Sequence, residues 1–301
     1  MQHYPAKLLL FGEHVLLLGA SALAAPVPAF SLTPVFGKQE SGQTEIREKL
    51  LRFAESPGLR AVPGMDAGAF ASDLAKGLQF DSNIPAGYGL GSSGALCAAV
   101  YDLYCREKSE HPAELKAVFS AMESFFHGSS SGIDPLASYL KKTLLIRRKT
   151  EVEVVQPAPW DNPPVVFLLD TRQERQTGPL VQWFLEQSRR AAFAEKVERE
   201  FLPAHESVIR AWTDARESEF WADLKRVSVF QLENFQPMVP DVIRPLWVES
   251  LKNNDFCLKV CGAGGGGFML GFARNREAVG FVGREFPVLF PFEGAAGQKD
   301  Q

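Results

Sequence analysis

Apolar residues recur along this chain in two rhythms. Short continuous runs at 7–11, 165–169, 256–260 and 268–272 are bounded by glycine, proline or polar residues and have the length of buried strands. A helical rhythm dominates 113–127, where Leu115, Val118, Phe119, Met122, Phe125 and Phe126 fall at i, i+3, i+4, i+7 spacing. Weaker helical patterns occupy 68–76 and 95–106. A strand is expected at 78–82, paired strands at 144–147 and 152–155, and long charged helices over 180–235. Residues 15–18 are expected to form a second strand after a turn at Gly12. The stretch 37–64 is polar and rich in turn residues around a short helix near 46–54. Four prolines between 156 and 164 mark a domain boundary. The expected organisation is therefore an N-terminal domain over 1–156, a C-terminal domain over 157–292 and a flexible tail over 293–301. No internal repeat is visible.

Composition narrows the function classes. The chain has 301 residues, 46% apolar and 23% charged, enough for a sizeable core. A formal net charge of -4 argues against a dedicated nucleic-acid binder, which carries a basic surplus to displace counterions. Cys97, Cys105, Cys257 and Cys261 lie in apolar stretches without C-x-x-C spacing and read as reduced core thiols rather than a zinc site. The apolar stretch 8–25 is interrupted by Glu13 and His14, and Pro26, Pro28 and Pro34 follow it. It reads as folded structure rather than a signal peptide or membrane span, with a cytoplasmic location and no membrane partner expected.

Two glycine-rich segments stand out. Pro85, Gly87, Gly89, Leu90, Gly91, Ser92, Ser93 and Gly94 form a loop ahead of the 95–106 helix. Such a turn gathers backbone N–H groups at a helix N-terminus, where the dipole favours a phosphate, and Ser92 and Ser93 add hydroxyls for a phosphate or Mg²⁺. No lysine follows the last glycine, so this is not a Walker A loop. A tight turn with a serine N-cap is the competing explanation. The second segment, 262–267, satisfies G-x-G-x-x-G, but a strand rather than a helix follows it, which argues against a dinucleotide fold. It reads as a strand–loop–strand turn packed closely against a ligand or another loop.

Three charged residues complete the pattern. Lys7 lies within a buried strand, where its charge needs a carboxylate or phosphate partner. Glu123 sits beside the apolar face of the 113–127 helix. Asp134 precedes Pro135, as an N-cap precedes N1. Each alone has an ordinary structural explanation; together, interleaved with the glycine loops, they point to chemistry.

These residues resemble the GHMP kinases. Pro5-Ala6-Lys7 through Gly12-Glu13-His14 is similar to the first motif of that superfamily, residues 85–95 to its second, and Lys259-Val260-Cys261-Gly262-Ala263-Gly264 to its third, in family order. His127-Gly128-Ser129-Ser130-Ser131-Gly132-Ile133-Asp134 resembles a mevalonate kinase segment, with Glu123 lying 134 − 123 = 11 positions before Asp134. Residues 175–181 resemble the segment carrying that family's substrate-loop threonine, here Thr177. After Gly12-Glu13-His14, Val15-Leu16-Leu17 departs from the galactokinase pattern. Ala6 and Gly94 replace the family's usual glycine and alanine, and the stretch between the first two motifs is short.

The resemblance implies an α+β class fold of two domains, the first ribosomal-protein-S5-like and the second ferredoxin-like. It implies an ATP-dependent kinase with Mg²⁺ held by Ser93 and Glu123 and ATP cradled by residues 85–94. Asp134 is the implied base, and Lys7 pairs with it and with the γ-phosphate. Glu13, His14, Thr177 and Gly264 are implied at the site of a small-molecule alcohol, mevalonate first among the acceptors, then phosphomevalonate, a sugar or homoserine. A homodimer is compatible with the resemblance. A non-catalytic sensor on the same scaffold is the rival, against which the retention of Lys7, Ser93, Glu123 and Asp134 speaks.

Overall fold

The first apolar run becomes strand β1 (Tyr4–Phe11), buried along almost its whole length. The computed structural model describes residues 2–37, 44–174 and 177–293. The expected second strand at 15–18 is instead a 3-10 turn, Val15–Leu18, closed by Gly19 at φ 97°. The cause is backbone geometry just before it: Gly12 has φ 113° and His14 φ 61°, values incompatible with extension. A Cβ on Gly12 would lie 2.3 Å from that of Ala22. The chain therefore folds back tightly before β2 (Ala22–Phe36), which runs through Pro26, Pro28 and Pro34.

Packing divides the residues into two compact units that interleave along the sequence. One holds the chain up to Leu8, Ala25–Ala86 and Leu90–Lys142; the other holds Leu9–Ala24, Gly87–Gly89 and the chain from Thr143 onward.

In the first unit, α1 (Thr44–Glu55), α2 (Pro57–Arg60) and α3 (Ala67–Ala75) lead into β3 (Leu78–Ser82). This strand lies antiparallel to the far end of β2, with Leu32 opposite Ser82 and Phe36 opposite Leu78. Helices α4 (Ser92–Tyr104), α5 (Pro112–His127) and α6 (Ile133–Leu140) follow and pack on one another. On α5, Leu115, Phe119 and Met122 are buried as their spacing predicts, while the rings of Phe125 and Phe126 meet Phe53 of α1.

In the second unit, the near end of β2 pairs with β4 (Thr143–Arg147), Ala22 lying opposite Ile146, and β4 pairs with β5 (Glu151–Val155). A second sheet contains β6 (Val165–Asp170), β7 (Phe256–Val260), β8 (Phe268–Ala273) and β9 (Val288–Leu289), in the antiparallel order β7-β8-β6-β9. Between β6 and β7 come α7 (Thr177–Ser188), α8 (Ala191–Lys196), α9 (Leu202–Thr213), α10 (Glu217–Asn234) and α11 (Arg244–Lys252); α12 (Arg276–Val282) follows β8. A π-helical turn, Val197–Phe201, joins α8 to α9. The rings of Trp212, Phe220 and Phe272 meet in tilted and edge-to-face contacts in this unit.

This is the α+β architecture expected from the sequence. All four cysteines are buried thiols outside any disulfide, and burial pushes the Cys257 thiol up to about 11, consistent with inert core thiols. Among the described residues, no helix is long and apolar enough to cross a membrane. The predicted tail lies, after Glu293, outside the described residues.

Candidate active site

The first unit collects the residues singled out for phosphoryl chemistry. Helix α4 begins at Ser92, earlier than its apolar pattern suggests, with Gly91 at its N-cap in a left-handed conformation (φ 72°). Ser92 and Ser93 therefore occupy the first turn, and no serine caps the helix. Two buried backbones meet just behind them. A Cβ on Gly94 would fall 2.8 Å from the backbone carbon of Asp134 and from the nitrogen of Pro135. Only a glycine admits α6 at this distance, which accounts for the departure from alanine noted at this position.

Asp134 differs from the expectation of an N-cap. Gly132 caps α6, at φ 73°, and Asp134 is the second residue of the helix. Its carboxylate is engaged elsewhere: Lys7 Nζ lies 2.7 Å from Asp134 Oδ1. Lys7 is held on the buried strand β1, and its backbone N–H donates to the carbonyl of Leu90 at 2.8 Å. One hydrogen bond and one ion pair thus tie strand, glycine loop and α6 together. Leu90 itself is a core side chain, 1% exposed, so its contribution at this loop is its carbonyl.

Glu123, 4% exposed, projects from α5 into the same cluster. Ser93 Oγ lies 2.9 Å from Glu123 Oε1 and 2.8 Å from His127 Nε2, and Ser130 Oγ donates to Glu123 Oε2 at 2.5 Å. Burial first, and then the Asp134 carboxylate, push Glu123 up to about 7; the serine hydroxyls and Lys7 pull the other way. A buried carboxylate so poorly stabilised as an anion, beside a serine hydroxyl, suits a divalent cation. Mg²⁺ characteristically takes one or two protein ligands and completes its shell with phosphate and water. Sequence reasoning passed over His127 as a ligand of Ser93, although its i+4 spacing from Glu123 puts both on one helical face.

A cavity of about 740 Å³ adjoins the serines within this unit, a volume suited to a small-molecule ligand. Leu32, Leu78, Leu96 and Phe126 give it apolar walls, Ser92 and Ser93 line one part of it, and Arg47 and Lys49 of α1 contribute positive charge. Those cations lie in the stretch between the first two motifs, where the sequence offered no recognisable ligand contacts.

The remaining candidates belong to the second unit. Gly87 and Gly89 adopt φ 80° and 74°, and a Cβ on Gly87 would meet open space. Between them Tyr88 donates to Asp170 at 3.2 Å and packs on the Phe268 ring. Pro85, on the first-unit side of this loop, is half-buried. Glu13 is 3% exposed and forms an ion pair of 2.5 Å with Lys259, whose side chain is fully buried and also donates to Val260 O. Lys259 is a second residue the sequence analysis left without a role; a lone lysine in the otherwise apolar strand β7 was the available signal.

His14 is 7% exposed, packed against Phe184 and Phe235, with Nε2 3.0 Å from Ala263 O. A carbonyl only accepts, so Nε2 carries the hydrogen, and Nδ1 is buried without a partner. Burial pulls this imidazole down to about 4. The glycine turn packs against loops of its own unit: Gly265 N donates to Met238 O, Gly267 N to Gln173 O, and a Cβ on Gly264 would meet Met238 O at 2.6 Å. Thr177 opens α7, and its side chain falls outside the described residues.

With this geometry in place, comparison with known proteins is informative. Residues 58–142 match the family model for the GHMP kinases N terminal domain. A mevalonate kinase of Archaeoglobus fulgidus is 25% identical over 296 residues, spanning 92% of this chain and 93% of the relative. Among solved structures, mevalonate kinase of Methanococcus jannaschii superposes with a TM-score of 0.65 over 96% of each chain at 17% identity. Galactokinase of Lactococcus lactis in complex with galactose gives 0.68 over 97% of this chain and 92% of its own, at 15% identity. These two likenesses establish a shared fold. Residues 58–142 thus resemble a GHMP kinase N-terminal domain, and the chain as a whole shares its fold with a mevalonate kinase and a galactokinase.

Proposed function

We propose that this protein is an ATP-dependent kinase that phosphorylates a hydroxyl of a small alcohol, with mevalonate as the acceptor. The observation that carries the reading is the Lys7–Asp134 ion pair of 2.7 Å behind the serine-bearing start of α4. The acceptor rests on the relative that matches from end to end, a mevalonate kinase.

Phosphoryl transfer asks a protein mainly for positioning and charge stabilisation. In this reading the start of α4 and the loop before it bind the phosphates through backbone N–H groups and the helix dipole. Ser93 and Glu123 hold Mg²⁺, which when bound neutralises phosphate charge. Lys7 grips Oδ1 of Asp134 and so fixes the orientation of the carboxylate. The other oxygen, Oδ2, takes the proton of the acceptor hydroxyl. Lys7 is also the cation that offsets charge developing on the transferred group. The 740 Å³ cavity beside the serines houses the nucleoside.

The test is a panel of acceptors with ATP consumption as the readout: mevalonate, phosphomevalonate, galactose and homoserine. Turnover with mevalonate well above the others is expected. Acceptor-dependent turnover only with another member would replace the substrate assignment, and ATP consumption with none of them would remove the kinase reading.

A further inference from the structure

We propose that His127 is a positioning residue for the divalent cation, acting through the proton of Ser93. The inference rests on the kinase reading given above and concerns how its metal site becomes competent.

The reasoning is a count of hydrogens and lone pairs. The Ser93 hydroxyl has one hydrogen and two lone pairs, and the Glu123 oxygen that faces it offers a lone pair. Ser93 Oγ has two neighbours at hydrogen-bond distance, Glu123 Oε1 at 2.9 Å and His127 Nε2 at 2.8 Å. Without a cation, one arrangement satisfies every hydrogen: His127 Nε2–H donates to Ser93, and Ser93 donates to Glu123. Every hydrogen then has an acceptor.

A cation bound by Ser93 and Glu123 reverses that arrangement. It needs a lone pair from each oxygen, and a hydroxyl hydrogen pointing at Oε1 would stand in its way. The hydrogen must turn to another acceptor, and the one already within reach is His127 Nε2, in the tautomer whose hydrogen is on Nδ1. His127 is exposed at the end of α5, so its two ring nitrogens exchange hydrogens through water. Ser130 anchors the other oxygen, Oε2, at 2.5 Å and itself accepts from Gly132 N at 2.9 Å. The carboxylate therefore keeps its orientation while the Ser93 hydroxyl rotates. The histidine makes no bond to the cation; it removes a hydrogen from the cation's path.

The experiment uses Mn²⁺ as a paramagnetic probe, with binding to the full-length protein in the presence of ADP followed by electron paramagnetic resonance. His127 is exposed, so its variants are expected to fold, which circular dichroism checks. His127→Ala is expected to weaken Mn²⁺ binding about 10–100-fold, the usual cost of losing a partner that orients a metal ligand. His127→Gln, whose amide oxygen accepts near the position of Nε2, is expected to restore most of the loss. In a Ser93→Ala background, removing His127 is expected to change nothing further, since its hydrogen-bond partner is gone. Wild-type affinity in His127→Ala, no rescue by glutamine, or a full additional loss in the double variant would each overturn the assignment. Failure of the wild-type protein to bind Mn²⁺ with ADP would instead strike the kinase reading itself.

Discussion

Replacing His14 should change how stability depends on pH, by an amount the surroundings of the residue fix. In the folded protein this imidazole is 7% exposed, between Phe184 and Phe235, with its one hydrogen given to Ala263 O. A second proton would have to sit on Nδ1, where nothing accepts it. Burial therefore pulls its pKa from 6.5 to about 4. Between those values the unfolded chain holds a proton that the folded chain refuses, so stability rises with pH. The contribution is complete above pH 6.5 and lost as pH falls through about 4. At ~1.4 kcal/mol per pH unit, that window is worth about 3 kcal/mol.

His14→Gln keeps a donor for Ala263 O but cannot titrate. Urea denaturation of both proteins, followed by tryptophan fluorescence from pH 7 down to pH 4.5, isolates the effect. Subtracting the curves cancels every other titrating group. The advantage of the wild-type protein should shrink over this range by about 2.4 kcal/mol, the part of the window that lies above pH 4.5. A difference that stays constant across the series would refute the reasoning, because the histidine would then titrate alike in both states.

Other consequences are as direct. Asp134→Asn should lower turnover by ~10²–10⁴-fold, the usual worth of a general base, while ATP binding measured by calorimetry persists. Normal turnover in that variant would remove Asp134 from the chemistry. Gly94→Ala forces a methyl to within 2.8 Å of the backbone of Asp134 and Pro135 and should cost about 1–3 kcal/mol of stability. Its thermal melting point would fall accordingly, and an unchanged one would mean that α4 and α6 separate freely. Lys259→Met removes the cation from a buried ion pair with Glu13 and should cost about 3–5 kcal/mol, measured by denaturation. The companion change Glu13→Gln should recover much of that loss; if it deepens it, the two residues do not act as a pair.

Much of the fold was legible because its elements carry strong local signals. The amphipathic period of α5 and the alternation of glycine turns with apolar strands at β7 and β8 placed those elements within a residue or two. The 3-10 turn at Val15–Leu18 was not legible: an apolar run of four is compatible with strand or turn, and the decision lies in the backbone at Gly12 and His14. Strand β2 was obscured by its prolines. At the site, the cost of burying a lone charge called for a carboxylate or phosphate beside Lys7, and the family resemblance named Asp134 as that partner. The capping role considered for Asp134 failed because α6 starts at Ile133, one residue before it, with left-handed Gly132 as its cap, and the carboxylate pairs with Lys7 instead. The contact of Ser93 with His127 and that of Glu13 with Lys259 depend on separations of 34 and 246 residues, which no local pattern encodes.

The second of those separations bears on how the protein is made. At ~5–20 residues per second, roughly 10–50 s pass between synthesis of Glu13 and of Lys259. Throughout that interval the nascent segment Leu9–Ala24 lacks the cation that makes its burial tolerable, so it must wait in water or on a chaperone. A chain released before β7 emerges keeps a carboxylate that has nowhere dry to go, and such fragments should be prime substrates for proteolytic quality control.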